Sequence, residues 1–197
     1  LCFLAILSIW KNEKIICLSW SQNCHLTLFY YKRINYRIGA SYINTPSQFE
    51  GNQITEMYDM QQSGAIAFSD DKRSIANANL MKIAMLYSKN FDGLIMSFSS
   101  EESIALKGQI NEGVTSTKLG LNGIPAVAEE LQLARDIKLC EYTNAKIHFS
   151  TISTSESVKL IREAKSLGLN VSADTSSYHL ILDDSELKSF NSNLKVN

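Results

Sequence analysis

Histidine is scarce in this chain: 3 in 197 residues, none paired as HxH or HxxxH. No independent imidazole metal site can therefore be read from spacing. The cysteines, Cys2, Cys17, Cys24 and Cys140, show no CxxC pattern, so neither a zinc knot nor a disulfide framework follows, and a reducing cytoplasm is the expected compartment. Charge of one sign is missing too. With 19 basic and 20 acidic residues and a formal net charge of −1, the chain has no electrostatic footprint for nucleic acid or an acidic membrane surface. The first apolar run, residues 1–10, is too short to span a bilayer and lacks a basic leader. It reads as an interior start, with a signal-peptide core as the alternative. The glycines of 108–123 fit neither GxxxxGK[ST] nor GxGxxG, which argues against a phosphate cradle and for tight turns. No GxSxG elbow accompanies the Ser/Thr cluster of 150–157, so no Ser-His-Asp set is readable from the sequence.

A rhythm is present instead. Three short runs, 65–69, 93–99 and 146–152, are almost continuously apolar and end in small polar residues; 170–174 opens a fourth. Each complete run is followed by a polar turn and an amphipathic stretch. Such runs suit strands buried on both faces, and the alternation predicts parallel β/α units of a β/α barrel or doubly wound sheet. Functional residues then belong at the C-terminal ends of the strands, where Ser, Thr, Phe and the pair Asp70-Asp71 stand.

Between the runs, residues 54–62 read as a short helix ended by Gly64. Residues 77–89 read as a helix with Leu80, Ile83, Ala84 and Tyr87 on its apolar face. Residues 101–123 read as a long loop, often a functional feature. Pro125 starts a helix to about residue 142, with Val127, Leu131, Ala134 and Ile137 as the expected buried stripe and Cys140 as a small buried group. Ser153-Thr-Ser-Glu156 matches a capping box opening a helix to about residue 166, stopped by Gly168. Asp70 and Asp71 read as caps of the helix after their strand, or as metal contacts. His148 shares a strand face with Ser150 and reads as a hydrogen-bonded core or pocket histidine. Upstream, 25–31 and 36–43 are strand-like and 44–52, with Pro46 and Gly51, is loop-like.

The ordered set Glu56-Met-Tyr-Asp-Met60, Gly64-Ala-Ile-Ala-Phe-Ser-Asp-Asp71, Asn111-Glu-Gly113, Lys118-Leu-Gly-Leu-Asn-Gly-Ile-Pro125, Ala128-Glu-Glu130, Ala134-Arg-Asp136, Ile152-Ser-Thr154 and Ser157-Val-Lys-Leu-Ile-Arg-Glu-Ala-Lys165 resembles dihydroorotase, of the cyclic amidohydrolase superfamily. The likeness covers residues 35–197; residues 1–34 form an atypical segment that does not show the family's usual sequence. It implies the middle portion of a (β/α)₈ barrel. It also implies reversible hydrolysis of the dihydroorotate ring amide to carbamoyl-aspartate, with one or two zinc ions activating water.

Residue by residue, the resemblance maps the family's acidic metal position to Asp71. Where the family's metal His opens a His-Cys-Glu-Asp run, this chain has Ser97-Phe-Ser-Ser100; where the second His precedes Val-Ser-Thr, it has Thr151. Hydroxyls are weak zinc ligands beside imidazole. The expectation is a chain with no retained zinc and no catalytic residue, keeping the fold for binding or for assembly with aspartate transcarbamoylase or a second copy. The competing expectation is an active cyclic amidase with Asp71, His148 and Asp174 as rearranged ligands. Asp70, Ser97, Ser99, His148, Thr151, Asp174 and His179, the last where the family has His-His-Leu, are expected to line the pocket.

Overall fold

The computed structural model describes residues 54–70 and 73–189. The strand, loop and segment boundaries expected upstream of residue 54, and Asp71, lie outside them.

Four strands, β1 (Phe68–Ser69), β2 (Leu94–Phe98), β5 (Lys146–Ser150) and β6 (Val171–Ala173), form a parallel sheet in the order β1-β2-β5-β6. Parallel strands need crossovers, and helices supply them: α2 (Ala78–Lys89) between β1 and β2, α5 (Val127–Thr143) before β5, and α6 (Ser155–Ser166) before β6. Consecutive helices pack on each other and on one side of the sheet, as in part of a (β/α)₈ barrel. The 65–69 run is thus largely an approach to its strand, with only its last two residues paired to β2. A short helix, α1 (Met57–Gln62), precedes it and ends at Gly64, whose φ of 100° is glycine territory.

Register fixes which side chains share a face. Phe68 pairs with Ile95, Ile95 with Ile147, and Ile147 with Val171. All four, with Phe149, are buried in one core with Met81, Ala84 and Met85 of α2 and Leu133 and Cys140 of α5. The alternate residues, Met96, His148 and Ser172, stand in register on the opposite face.

Three expectations about helices need correction. The buried side of α2 carries Leu80, Met81, Ala84, Met85 and Ser88, while Ile83 is 43% exposed. In α5 the predicted stripe is displaced by one residue: Val127 and Leu131 are exposed, and Ala128, Gln132, Leu133, Asp136, Cys140 and Thr143 are buried. Cys140 is where it was expected, and burial pushes its thiol up to about 11, leaving it an inert small group. The α6 cap is Thr154, whose hydroxyl accepts from the Ser157 amide; Glu156 pairs with Lys159 instead.

The expected loop over 101–123 is also more ordered than its composition implies. It contains α3 (Glu102–Ala105), α4 (Val114–Leu119) and a strand β3 (Ile110–Asn111) paired in parallel with β4 (Gly123–Ile124). Two glycines there serve close approach rather than turning. A Cβ on Gly108 would lie 2.4 Å from Ile124 Cγ1, and one on Gly123 would lie 2.7 Å from Glu112 Cα.

Candidate functional site

The residues expected to form one pocket divide between the two sides of the sheet. Ser97 is in register with Phe149 and shares the helix-facing side. Its hydroxyl donates to Asp136 Oδ2 at 2.9 Å. Asp136 is fully buried, and its second oxygen takes both Arg135 Nε at 2.9 Å and Nη2 at 2.7 Å. Arg135 reaches on to the carbonyls of Ile75 and Ala76, while Gln132 donates to the Ile75 carbonyl and Asp136. This cluster ties β2, α5 and the segment leading into α2 together. Burial pushes the Asp136 carboxyl above its ordinary value, opposed by the Arg135 charge and by hydrogen bonds from Arg135, Ser97 and Gln132. Ser99, two residues on, is buried with its hydroxyl unpartnered, as is Gln132 Oε1.

Asp70 is half-buried, and its carbonyl accepts the Arg73 amide. It does not cap α2: that cap is Asn77, whose side chain accepts from the amides of Asn79 and Leu80. Asn is a preferred cap and sits one residue before the first turn, whereas Asp70 lies too far upstream. His179 is exposed on a 3₁₀ turn, Ser177–Leu180.

On the opposite face, from the middle of β5 and from β6 and the residue that follows it, three side chains converge. His148 Nδ1 lies 2.9 Å from Ser172 Oγ, and His148 Nε2 lies 3.0 Å from Asp174 Oδ2. The other Asp174 oxygen accepts the Thr151 amide at 2.6 Å. The Asp174 backbone is fixed as well, its amide on the Phe149 carbonyl and its carbonyl on the Ile152 amide. The His148 and Asp174 side chains are only 11% and 4% exposed. Strand alternation put His148 and Ser150 on one face, but Ser172 was missed. Its spacing from Asp174 was the available signal; the β5/β6 register that brings it to His148 was not.

Thr151 follows β5 with φ of 61°. A β-branched residue in the left-handed region is a strained outlier, costing on the order of 1–3 kcal/mol. The Asp174 hydrogen bond to its amide holds it there. Thr151→Asn, with a side chain that tolerates this region, is expected to raise stability in urea denaturation by about 1 kcal/mol. A loss of stability would show that the threonine side chain contributes more than its backbone costs.

The adjoining loop is held from α5. The Glu129 carboxylate accepts from the Ser153 amide, the Ser153 hydroxyl at 2.6 Å and the Thr154 amide. It satisfies donors at the start of α6, where a negative charge is favoured.

Among the described residues no three His, Cys, Asp or Glu converge as a metal-holding group. His148 uses both ring nitrogens and Asp174 both carboxylate oxygens in the contacts above. Among the same residues no helix is long and apolar enough to cross a membrane.

Solved structures of similar fold include two hydantoinases. An L-hydantoinase (dihydropyrimidinase) from Arthrobacter aurescens superposes with a TM-score of 0.60 over 72% of this chain and 34% of its own, at 15% identity. A D-hydantoinase from a Bacillus sp. AR9 superposes with a TM-score of 0.56 over 82% of this chain and 35% of its own, at 16% identity. At the level of sequence, a dihydroorotase of Caldicellulosiruptor saccharolyticus is 45% identical over 147 residues, and one of Syntrophobacter fumaroxidans is 43% identical over 151. These matches cover 75% and 77% of this chain but only 34% of either relative, so the chain spans about a third of their length. The family model described as dihydro-orotase-like matches residues 39–157, and the chain belongs to that family.

Proposed function

We propose that this chain is part of a dihydroorotase relative that has lost its metal centre and keeps the barrel for binding, or for assembly with a partner enzyme such as aspartate transcarbamoylase or with a second copy. One observation carries this reading: on the face that β2 shares with His148 stand Met96 and Phe98, neither of them a zinc ligand of the histidine kind, while Ser97 is turned to the helix layer and bonded to Asp136. The position where the resemblance puts the second metal histidine is Thr151, a hydroxyl where zinc would need imidazole. Pyrimidine biosynthesis is the setting that the dihydroorotase relatives support. The rearranged-site reading asks Asp71, His148 and Asp174 to bind metal, but His148 would have to give up Asp174 or Ser172 to do so.

The test is zinc per chain by inductively coupled plasma mass spectrometry on the purified full-length protein, with dihydroorotate turnover measured beside it. The expected result is zinc far below one per chain and no turnover. Stoichiometric zinc together with turnover that Asp71→Ala abolishes would establish the rearranged site.

A further inference from the structure

We infer that Ser172, His148 and Asp174 form a metal-independent acyl-transfer site on the face of the sheet opposite the helices. The inference rests on the reading above that His148 and Asp174 hold no metal, and its probe is read separately from zinc content. In the neutral tautomer that carries its proton on Nε2, His148 donates to Asp174 Oδ2, 3.0 Å away. In that tautomer Nδ1 accepts from the Ser172 hydroxyl, 2.9 Å away. This is the resting arrangement of a nucleophile, a general base and an orienting carboxylate. Here the two ring nitrogens exchange their usual roles. Geometry rather than chain order defines such a set, and 24 residues separate Ser172 from His148, with the in-register pairing of β5 and β6 joining them.

The parts differ in anchoring and exposure in the way the chemistry needs. Asp174 is locked by its own backbone hydrogen bonds and by the Thr151 amide, so it positions the imidazole without touching substrate. Ser172 is only half-buried and is the one member open to attack an incoming carbonyl. Met96, in register with His148 on the same face, and Phe98 two residues further along are half-buried apolar surface on the side of His148 away from Ser172. The matching substrate class is a small uncharged ester. In the first step Ser172 Oγ bonds to the acyl carbon, its proton passes to His148 Nδ1, and the C–O bond to the alcohol breaks, the alcohol leaving with that proton. In the second step water, deprotonated by Nδ1, attacks the acyl-serine; the acid departs and Ser172 recovers its proton.

The probe is a fluorophosphonate, which phosphonylates activated serines with loss of fluoride, applied to the full chain and followed by peptide mapping. The expected result is a single adduct on Ser172 and hydrolysis of p-nitrophenyl acetate. Ser172→Ala and His148→Gln should lower both rates by about a hundredfold or more, with circular dichroism checking the fold of each variant. Asp174→Asn should be worse than Asp174→Glu. A structural role predicts the reverse order, because Asn is isosteric and Glu is not, whereas orientation of the imidazole needs the carboxylate. An adduct elsewhere in the folded wild-type chain, or no adduct at all, overturns the inference without requiring any variant to fold.

Discussion

Asp136→Ala is expected to destabilise the chain by about 3 kcal/mol in urea denaturation at neutral pH. The carboxylate is fully buried and is the common acceptor for Ser97, Gln132 and Arg135. Alanine would leave the Ser97 hydroxyl without its acceptor and release Arg135, whose hold on the Ile75 and Ala76 carbonyls fixes the approach to α2. The Arg135 side chain is 23% exposed, so its charge recovers some hydration and the loss falls at the low end for a broken buried pair.

The same group makes stability pH-dependent in a definite direction. Burial raises its folded pKa, so the folded state holds the proton more tightly than the unfolded chain does. Its contribution to stability is then greatest below the unfolded carboxylate value near 4 and declines as pH rises toward the raised folded value. Measured against Asp136→Asn, which cancels every other titration, the wild-type advantage should shrink with rising pH across that window. A widening advantage would mean that the Arg135 attraction outweighs burial.

That network also explains what could and could not be read from the sequence. The strand-bearing runs and the positions of α2, α5 and α6 were legible because apolar runs, Pro125 and Gly168 mark them locally. The buried face of α5 was not. Hydrophobic periodicity credits Val127 and Leu131, yet the helix turns Gln132 and Asp136 inward, because the Gln132 hydrogen bond to the Ile75 carbonyl and the Ser97 hydrogen bond to Asp136 offset burial. No count of apolar residues registers a polar side chain whose partner lies 39 residues away, as Ser97 does from Asp136. The 101–123 segment was misread for a related reason: glycines that permit the close approach of β3 and β4 look in sequence like glycines that permit turns. At the site, strand alternation put His148 and Ser150 on one face, while Asp174 entered as a ligand of the competing rearranged site and stands 3.0 Å from His148 Nε2. Ser97 was grouped with them only because its position in the family carries a ligand. The β2/β5 register puts it on the other side.

Phe149→Ala is expected to cost about 4 kcal/mol, the largest loss of any single truncation considered. Phe149 is fully buried at 0% exposure, and β5 is flanked by β2 and β6, so the void would open in the middle of the sheet where neither strand can close on it without losing register. Against a domain stability of about 5–15 kcal/mol, that is a large share of the total. Phe149→Leu, which keeps most of the volume, should cost about 1 kcal/mol, and Tyr142→Ala on the exposed side of α5 should stay within about 0.5 kcal/mol. The position also couples core to site, since the Phe149 carbonyl anchors the Asp174 amide and its neighbour is His148. Equilibrium urea unfolding with circular dichroism ranks the three variants. If alanine cost no more than leucine, β5 would be repacking freely, and the core could not be what holds His148 and Ser172 in register.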